Sequence, residues 1–282
     1  ATRRGDLVAT DFQPHNYDGA GSSIGTDGFT ISFWLRPDEI VTDGFAIGWK
    51  SGAHDRFEFG MKDADQVFFG VASNEFKSSW KDMNDAVVGE NANDGFTESE
   101  MNELFDGGTD WKTDGTWYHI AWTRVSGMGY CYLNGTQVAT GDASKDVTTT
   151  TLRMNGYGGG GSYGQANVKH SDVRVVKGKA VYTGNFSPPT GPLTKTGGTY
   201  PNNTNRTDPT ASETVLLTHQ DSSGSTVPAD NSDSNHTLTK SGTITKGAGY
   251  QVIASDAGPN TLPLTINGDV RNTRYWPFSY DG

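Results

Sequence analysis

A single cysteine in 282 residues excludes any disulfide within the chain. Cys131 sits in the alternating run YCYL, where it reads as a small buried hydrophobe, and no basic residue adjoins it to activate a thiolate. Long apolar runs are lacking too. No stretch approaches the roughly 18 consecutive apolar residues of a membrane-crossing helix. Positive charge is scarce, with 22 Lys and Arg against 33 Asp and Glu and a formal net charge of −11. A groove that tracks nucleic-acid phosphates would have to form against the field of the whole molecule. Neither a nucleic-acid partner nor a membrane span is expected.

Apolar residues make up only 33% of the chain, yet 13 Phe, 11 Tyr and 7 Trp supply a large buried area per side chain. Thirty-seven glycines and 11 prolines, with Ser, Thr, Asn and Asp, separate short aromatic or β-branched runs. That grammar predicts many short strands joined by tight turns. In GFTISFWLRP (28–37), Phe29, Ile31, Phe33 and Leu35 share one parity, which predicts a strand with one buried face. FAIGWK (45–50), RFEFGMK (56–62) and QVFFGVA (66–72) continue as antiparallel strands. The rhythm breaks over 73–115, a polar, acidic insertion in which Thr97 and Glu100 form a capping box ahead of Met101, Leu104 and Phe105, predicting a short helix. Strands resume over 116–125 and 128–140, and Asn134-Gly135 predicts a type I′ hairpin turn within the latter.

Glycine-rich LRMNGYGGGGSYGQ (152–165) precedes SDVRVVKGKAVYTGNFSPPTGPL (171–193), where Pro188, Pro189 and Pro192 predict the end of the sandwich. Residues 194–210 have linker composition. The strand-like runs 213–220, 236–246 and 261–268 are too few and too polar to bury a large core alone. The expected organisation is a sandwich over 1–193, a linker over 194–210 and a C-terminal β extension over 211–282 that leans on the first part or on a neighbouring subunit.

DGFTISFWLRPDE, GTWYHIAWTRVSG, CYLNGTQVATG and SDVRVVKGKAVYTGNFSPPTGPL together resemble the concanavalin A-like, laminin G-like jelly-roll family over residues 7–193. The last string is similar to an ending common in phage and marine viral structural proteins of that family, as are VLLTHQ and DNSDSNHTLTKSGTITK after it. The resemblance implies an all-β, two-sheet antiparallel sandwich. It implies a non-enzymatic virion structural or surface protein on the particle exterior, such as a capsid decoration, fibre or adhesion component. Partners would be sister subunits, other virion proteins and cell-surface glycans. The alternative is a secreted or cell-surface calcium-dependent carbohydrate-binding module or adhesin.

Hydrolases on this jelly roll carry Glu-x-Asp-x-x-Glu on one strand, because alternate residues project from one face and bring two carboxyl groups about 5 Å apart. No segment here has that spacing, and Glu98, Glu100 and Glu103 fall on the predicted helix instead. Zinc-ligand spacing and a phosphate loop are also missing. His119, inside WYHIAW, reads as a packed framework histidine. For ligand contact the candidates are Trp80, Trp111, Tyr157 and Tyr163, aromatics in predicted loops whose faces can stack on sugars. For a metal, the candidate is Ca2+ on Asp106, Asp110 and Asp114, carboxylates spaced by four in DGGTDWKTD.

Overall fold

The computed structural model describes strands over 2–3, 6–9, 28–39, 45–51, 55–62, 66–71, 81–82 and 152–154, and the longer stretches 117–143, 167–218, 229–241 and 244–245, with side chains over 28–36, 117–143 except Asp142, 169–218 and 229–238. The elements are β1 (Thr2–Arg3), β2 (Asp6–Ala9), β3 (Gly28–Glu39), β4 (Phe45–Ser51), β5 (Asp55–Lys62), β6 (Gln66–Val71), β7 (Lys81–Asp82) and β8 (Tyr118–Val125). They continue as β9 (Met128–Leu133), β10 (Thr136–Asp142), β11 (Leu152–Met154), β12 (Asn167–Gly178), β13 (Thr214–Thr218), β14 (Leu238–Ser241) and β15 (Ile244–Thr245). Among the described residues there is no helix. The helix expected after Thr97 lies outside the described residues.

These strands form a two-sheet antiparallel sandwich, as the alternation predicts. One sheet runs β15-β1-β12-β3-β8-β9-β10-β7, with β13 also paired to β12, and the other runs β14-β2-β11-β4-β5-β6. The edge of β12 is divided: β1 pairs with Val168 and Lys169, and β13 pairs with 173–176. The hairpin between β9 and β10 turns at Asn134 and Gly135, both at positive φ (48° and 80°), as the dipeptide predicts. Cys131 is buried, consistent with its reading as a core hydrophobe.

The buried face expected on β3 is present, and the structure buries the other face as well. Phe29, Ile31, Phe33 and Leu35 are buried on one face with Tyr118, Ile120, Trp122 and Val175, and Phe33 meets the Trp122 ring edge-on at 5.5 Å. Thr30, Ser32 and Trp34, on the opposite parity, are buried as well. The reason is a strap. After β12 the chain passes over this second face, and Val181, Tyr182 and Phe186 cluster there with Ala121, Tyr132 and Val176. Thr30 fastens its start: the Thr30 hydroxyl donates to the Lys179 carbonyl at 3.1 Å and accepts from the Val181 N–H at 2.8 Å. A polar strand residue is thereby buried with its hydrogen bonds made.

Residues 194–210 stay on this face. Tyr182 pairs with Arg206, and Thr194 with Gly197, as antiparallel bridges. The Thr183 N–H donates to the Asn205 carbonyl, the Thr207 N–H to Val181 and the Thr190 N–H to Thr199. The strap is thus a long loop whose outgoing and returning limbs bond to each other before β13 joins β12. β13 is buried along its whole length. Beyond it Asp230, itself buried, accepts from the N–H groups of Leu217, Ser232 and His236 and from the Ser232 hydroxyl, which ties the next turn to β13.

Candidate functional site

The best-defined constellation is the strap-covered face of the first sheet. Register places Arg174 opposite Ser32, Ser32 opposite Ala121, and Trp34 opposite His119, so Arg174, Ser32 and His119 project from one face. His119 is fully buried; its ring meets Trp34 edge-on at 5.2 Å, Phe186 at 5.6 Å and Tyr182 at 6.1 Å. Tyr182 stacks on Phe186 at 3.8 Å, and its hydroxyl bonds to that of Tyr200 at 2.9 Å. Burial, reinforced by the Arg174 charge, pushes the His119 pKa down to about 3. Burial pushes the Tyr182 phenol well above its usual range, with the neighbouring Tyr200 adding to the effect. Both groups are therefore neutral over ordinary pH and closed off from solvent. A proton-transfer role has neither a poised base nor an access route here; the arrangement holds the strap to the sheet.

Three contacts fix the strap's far limbs. The hairpin turn takes the first: the Phe186 N–H donates to the Gly135 carbonyl at 2.9 Å and the Gln137 N–H to Asn185 Oδ1 at 2.9 Å. Asn134 closes back on β8, accepting from the His119 N–H at 2.9 Å and donating its own N–H to the His119 carbonyl at 2.7 Å. The second is Asp172, at positive φ (48°) where the β12–β3 register shifts; it accepts from the Leu193 N–H at 3.1 Å and the Ser171 hydroxyl at 2.7 Å. The third is Arg174, whose Nη1 donates to the carbonyls of Gly197 at 2.8 Å and Thr194 at 3.3 Å. Arg174 was not among the sequence candidates; its only signal is a lone arginine inside the apolar run DVRVV.

The sequence-derived contact residues Trp80, Trp111, Tyr157 and Tyr163, and the aspartates Asp106, Asp110 and Asp114, lie outside the described residues. The strands that bracket them are described. β11 ends at Met154, opposite Ile47 and Leu7, and β12 begins at Asn167, opposite Glu39 at the end of β3. β8 begins at Tyr118, opposite Leu35. The chain leaving β11, the chain entering β12 and the chain entering β8 therefore all do so at one end of the sandwich, the end of the Asn134-Gly135 turn. β7 pairs through Lys81 and Asp82 with Thr140 and Ala139, towards the other end. Among the described residues no group of three His, Cys, Asp or Glu is gathered for a metal, and no helix is long and apolar enough to cross a membrane.

Comparison with known proteins places this fold. A protein from Bacteroides ovatus whose description proposes carbohydrate binding superposes with a TM-score of 0.50 at 15% identity, over 87% of this chain and 59% of its own. This chain thus spans about three fifths of that protein's length. Domain 4 of AbnA, a GH43 extracellular arabinanase from Geobacillus stearothermophilus solved with arabinotriose, gives 0.34 at 12% identity over 61% and 82% of the two chains. Domains LG4-5 of the mouse laminin α1 chain give 0.35 at 12% identity over 64% and 44%. No curated protein matches in sequence. The Laminin_G_3 family model, described as the concanavalin A-like lectin/glucanases superfamily, matches residues 16–180, and with its two antiparallel sheets the chain belongs to that family.

Proposed function

We propose that this chain is a non-catalytic, lectin-like recognition module that binds a glycan at the end of the sandwich bearing the Asn134-Gly135 turn, and that it works as an exterior structural or attachment component of a virus particle. The observation that carries the binding reading is the strap: it covers the outer face of the first sheet over β3, β8 and β12 and closes that face to a glycan, which favours the loop ends. The chain between β11 and β12 carries Tyr157 and Tyr163, and the chain entering β8 carries Trp111; both begin or finish at that one end. Aromatic faces there would stack on sugar rings while neighbouring polar groups orient the hydroxyls. Trp80, which precedes β7 in the sequence, is a secondary candidate, because β7 pairs with β10 towards the other end. Asp106, Asp110 and Asp114 are proposed to supply hard oxygen donors for Ca2+ near the entry to β8.

Support comes from the family, from the carbohydrate binding proposed for the Bacteroides ovatus protein, and from the missing Glu-x-Asp-x-x-Glu spacing. The virion setting rests on the similarity of the 171–193 and 215–246 strings to viral structural proteins. A glycan array with and without chelator, combined with a reducing-sugar assay, tests the binding reading. Saturable glycan binding without sugar release is expected. Release of sugar would overturn the non-catalytic assignment, and a flat array would overturn glycan recognition. Mass spectrometry of purified particles tests the setting: a fixed stoichiometry with other virion proteins is expected, and recovery from cell surfaces alone would favour the adhesin.

A further inference from the structure

The strap-covered face holds a buried guanidinium and, two residues away, the buried Asp172 carboxylate, which the strap already engages. Arg174 is fully buried, and among the described residues it forms no ion pair. Its Nη1 is spent on the Gly197 and Thr194 carbonyls, while Nε and Nη2 are buried with no acceptor. Directly across the strand pair, about 5 Å away at Cβ, Ser32 is buried with its hydroxyl unpartnered. That hydroxyl lies beside the Tyr182 hydroxyl without forming a hydrogen bond of good geometry. His119 completes the face with both ring nitrogens buried and unpartnered. Asp172, two residues from Arg174, directs its carboxylate to Leu193 and Ser171.

Most of the unspent groups are donors: two guanidinium nitrogens, the serine hydroxyl and one nitrogen of the neutral His119 ring, with a protonated phenol alongside, while the other His119 nitrogen is an acceptor. Burying a guanidinium with no ion pair and two of its nitrogens unsatisfied is strongly unfavourable. An internal water would satisfy hydrogen bonds alone, whereas a small anion would satisfy them and also make the direct charge contact that Asp172, turned to Leu193 and Ser171, does not. We propose that a small monovalent anion of the chloride type binds at Arg174 Nε and Nη2, between β3, β12 and the strap, with the Ser32 and Tyr182 hydroxyls as further donors. The anion would act as a structural ligand that locks the strap to the sheet.

The test is the urea unfolding equilibrium of the whole chain in sodium chloride against sodium gluconate at constant ionic strength, together with a bromide-soaked crystal. Above the dissociation constant, each tenfold rise in chloride is expected to raise the folding constant about tenfold, and bromide anomalous density is expected beside Arg174. Ser32→Ala, a small change that leaves Arg174 in place, should shift the chloride midpoint upward by about tenfold or more. Arg174→Met should abolish the chloride dependence. Equal folding constants in chloride and gluconate, water instead of bromide at Arg174, or a chloride effect that survives Arg174→Met would each overturn the proposal.

Discussion

Two glycines with nearly the same φ separate strain from collision. Gly135 and Gly178 have φ of 80° and 79°, a region costly for any residue with a Cβ. A Cβ on Gly178 would meet nothing within 4 Å, while one on Gly135 would lie 1.9 Å from the Phe186 carbonyl oxygen. Gly178→Ala should therefore cost about 1 kcal/mol, the conformational share, and Gly135→Ala at least about 3 kcal/mol, because the strap must lift off the turn. Urea melts of the two variants make the comparison; equal losses would mean that the strap does not rest on the turn. His119 gives a second test. Its pKa is lowered on folding to about 3, so between that value and its unfolded value near 6.5 the unfolded chain binds the extra proton. Stability therefore rises with pH through this window and is fully present above it. From pH 7 to pH 5 the loss should be about 2 kcal/mol, and His119→Phe should remove that part of the slope.

At the scale of elements, the strands and the strap were unequally legible in the sequence. β3, β8, β9 and β10 announce themselves because side-chain alternation and the Asn134-Gly135 pair are local signals. The strap does not. It is held by the Gly135 carbonyl, by its own carbonyls at 194 and 197 and by single side chains at Thr30, Asp172 and Arg174, in pairs at least 20 positions apart, and no periodicity encodes such contacts. The prolines at 188, 189 and 192 signalled an ending, yet a proline-rich segment with no ladder to join can still cover a sheet face. The buried second face of β3 was missed for the same reason: Thr30 and Ser32 look like solvent-facing residues until the strap is placed over them. The candidate site was legible only as residue types, since stacking aromatics and oxygen donors can be recognised in loops whose convergence cannot. Phe186 bears on Tyr182, His119 and Tyr132 at once. Phe186→Ala should cost about 3–5 kcal/mol and speed hydrogen exchange over 181–207 more than over β13. Uniform acceleration along the chain would count against a strap with its own anchoring.

For the molecule as a whole, the two strand-bearing ends of the described chain close one side of the sandwich together. β15 pairs with β1 in one sheet and β14 with β2 in the other, and Thr2↔Thr245, Arg3↔Ile244, Asp6↔Ser241 and Ala9↔Leu238 share one constant register. A single antiparallel ribbon thus passes from sheet to sheet and forms the outer strand of both. Deleting residues 236–282 would uncover the β1 and β2 edges, and open strand edges recruit other chains. Light scattering after size-exclusion chromatography should then show concentration-dependent oligomers; a well-behaved monomer would show that the ribbon is dispensable. The net charge of −11 keeps the intact surface soluble and adds no steering towards polyanions.

Recognition at the end of the sandwich, with the strap-covered face closed to glycans, is tested most directly by hydrogen-exchange footprinting of the full chain with and without a saturating glycan identified on the array. Protection is expected within 155–166 and 110–117 and is expected to be lost in Tyr157→Ala and Tyr163→Ala, with exchange over 181–207 unchanged. Protection centred on the strap, or binding indifferent to both tyrosines, would contradict the account.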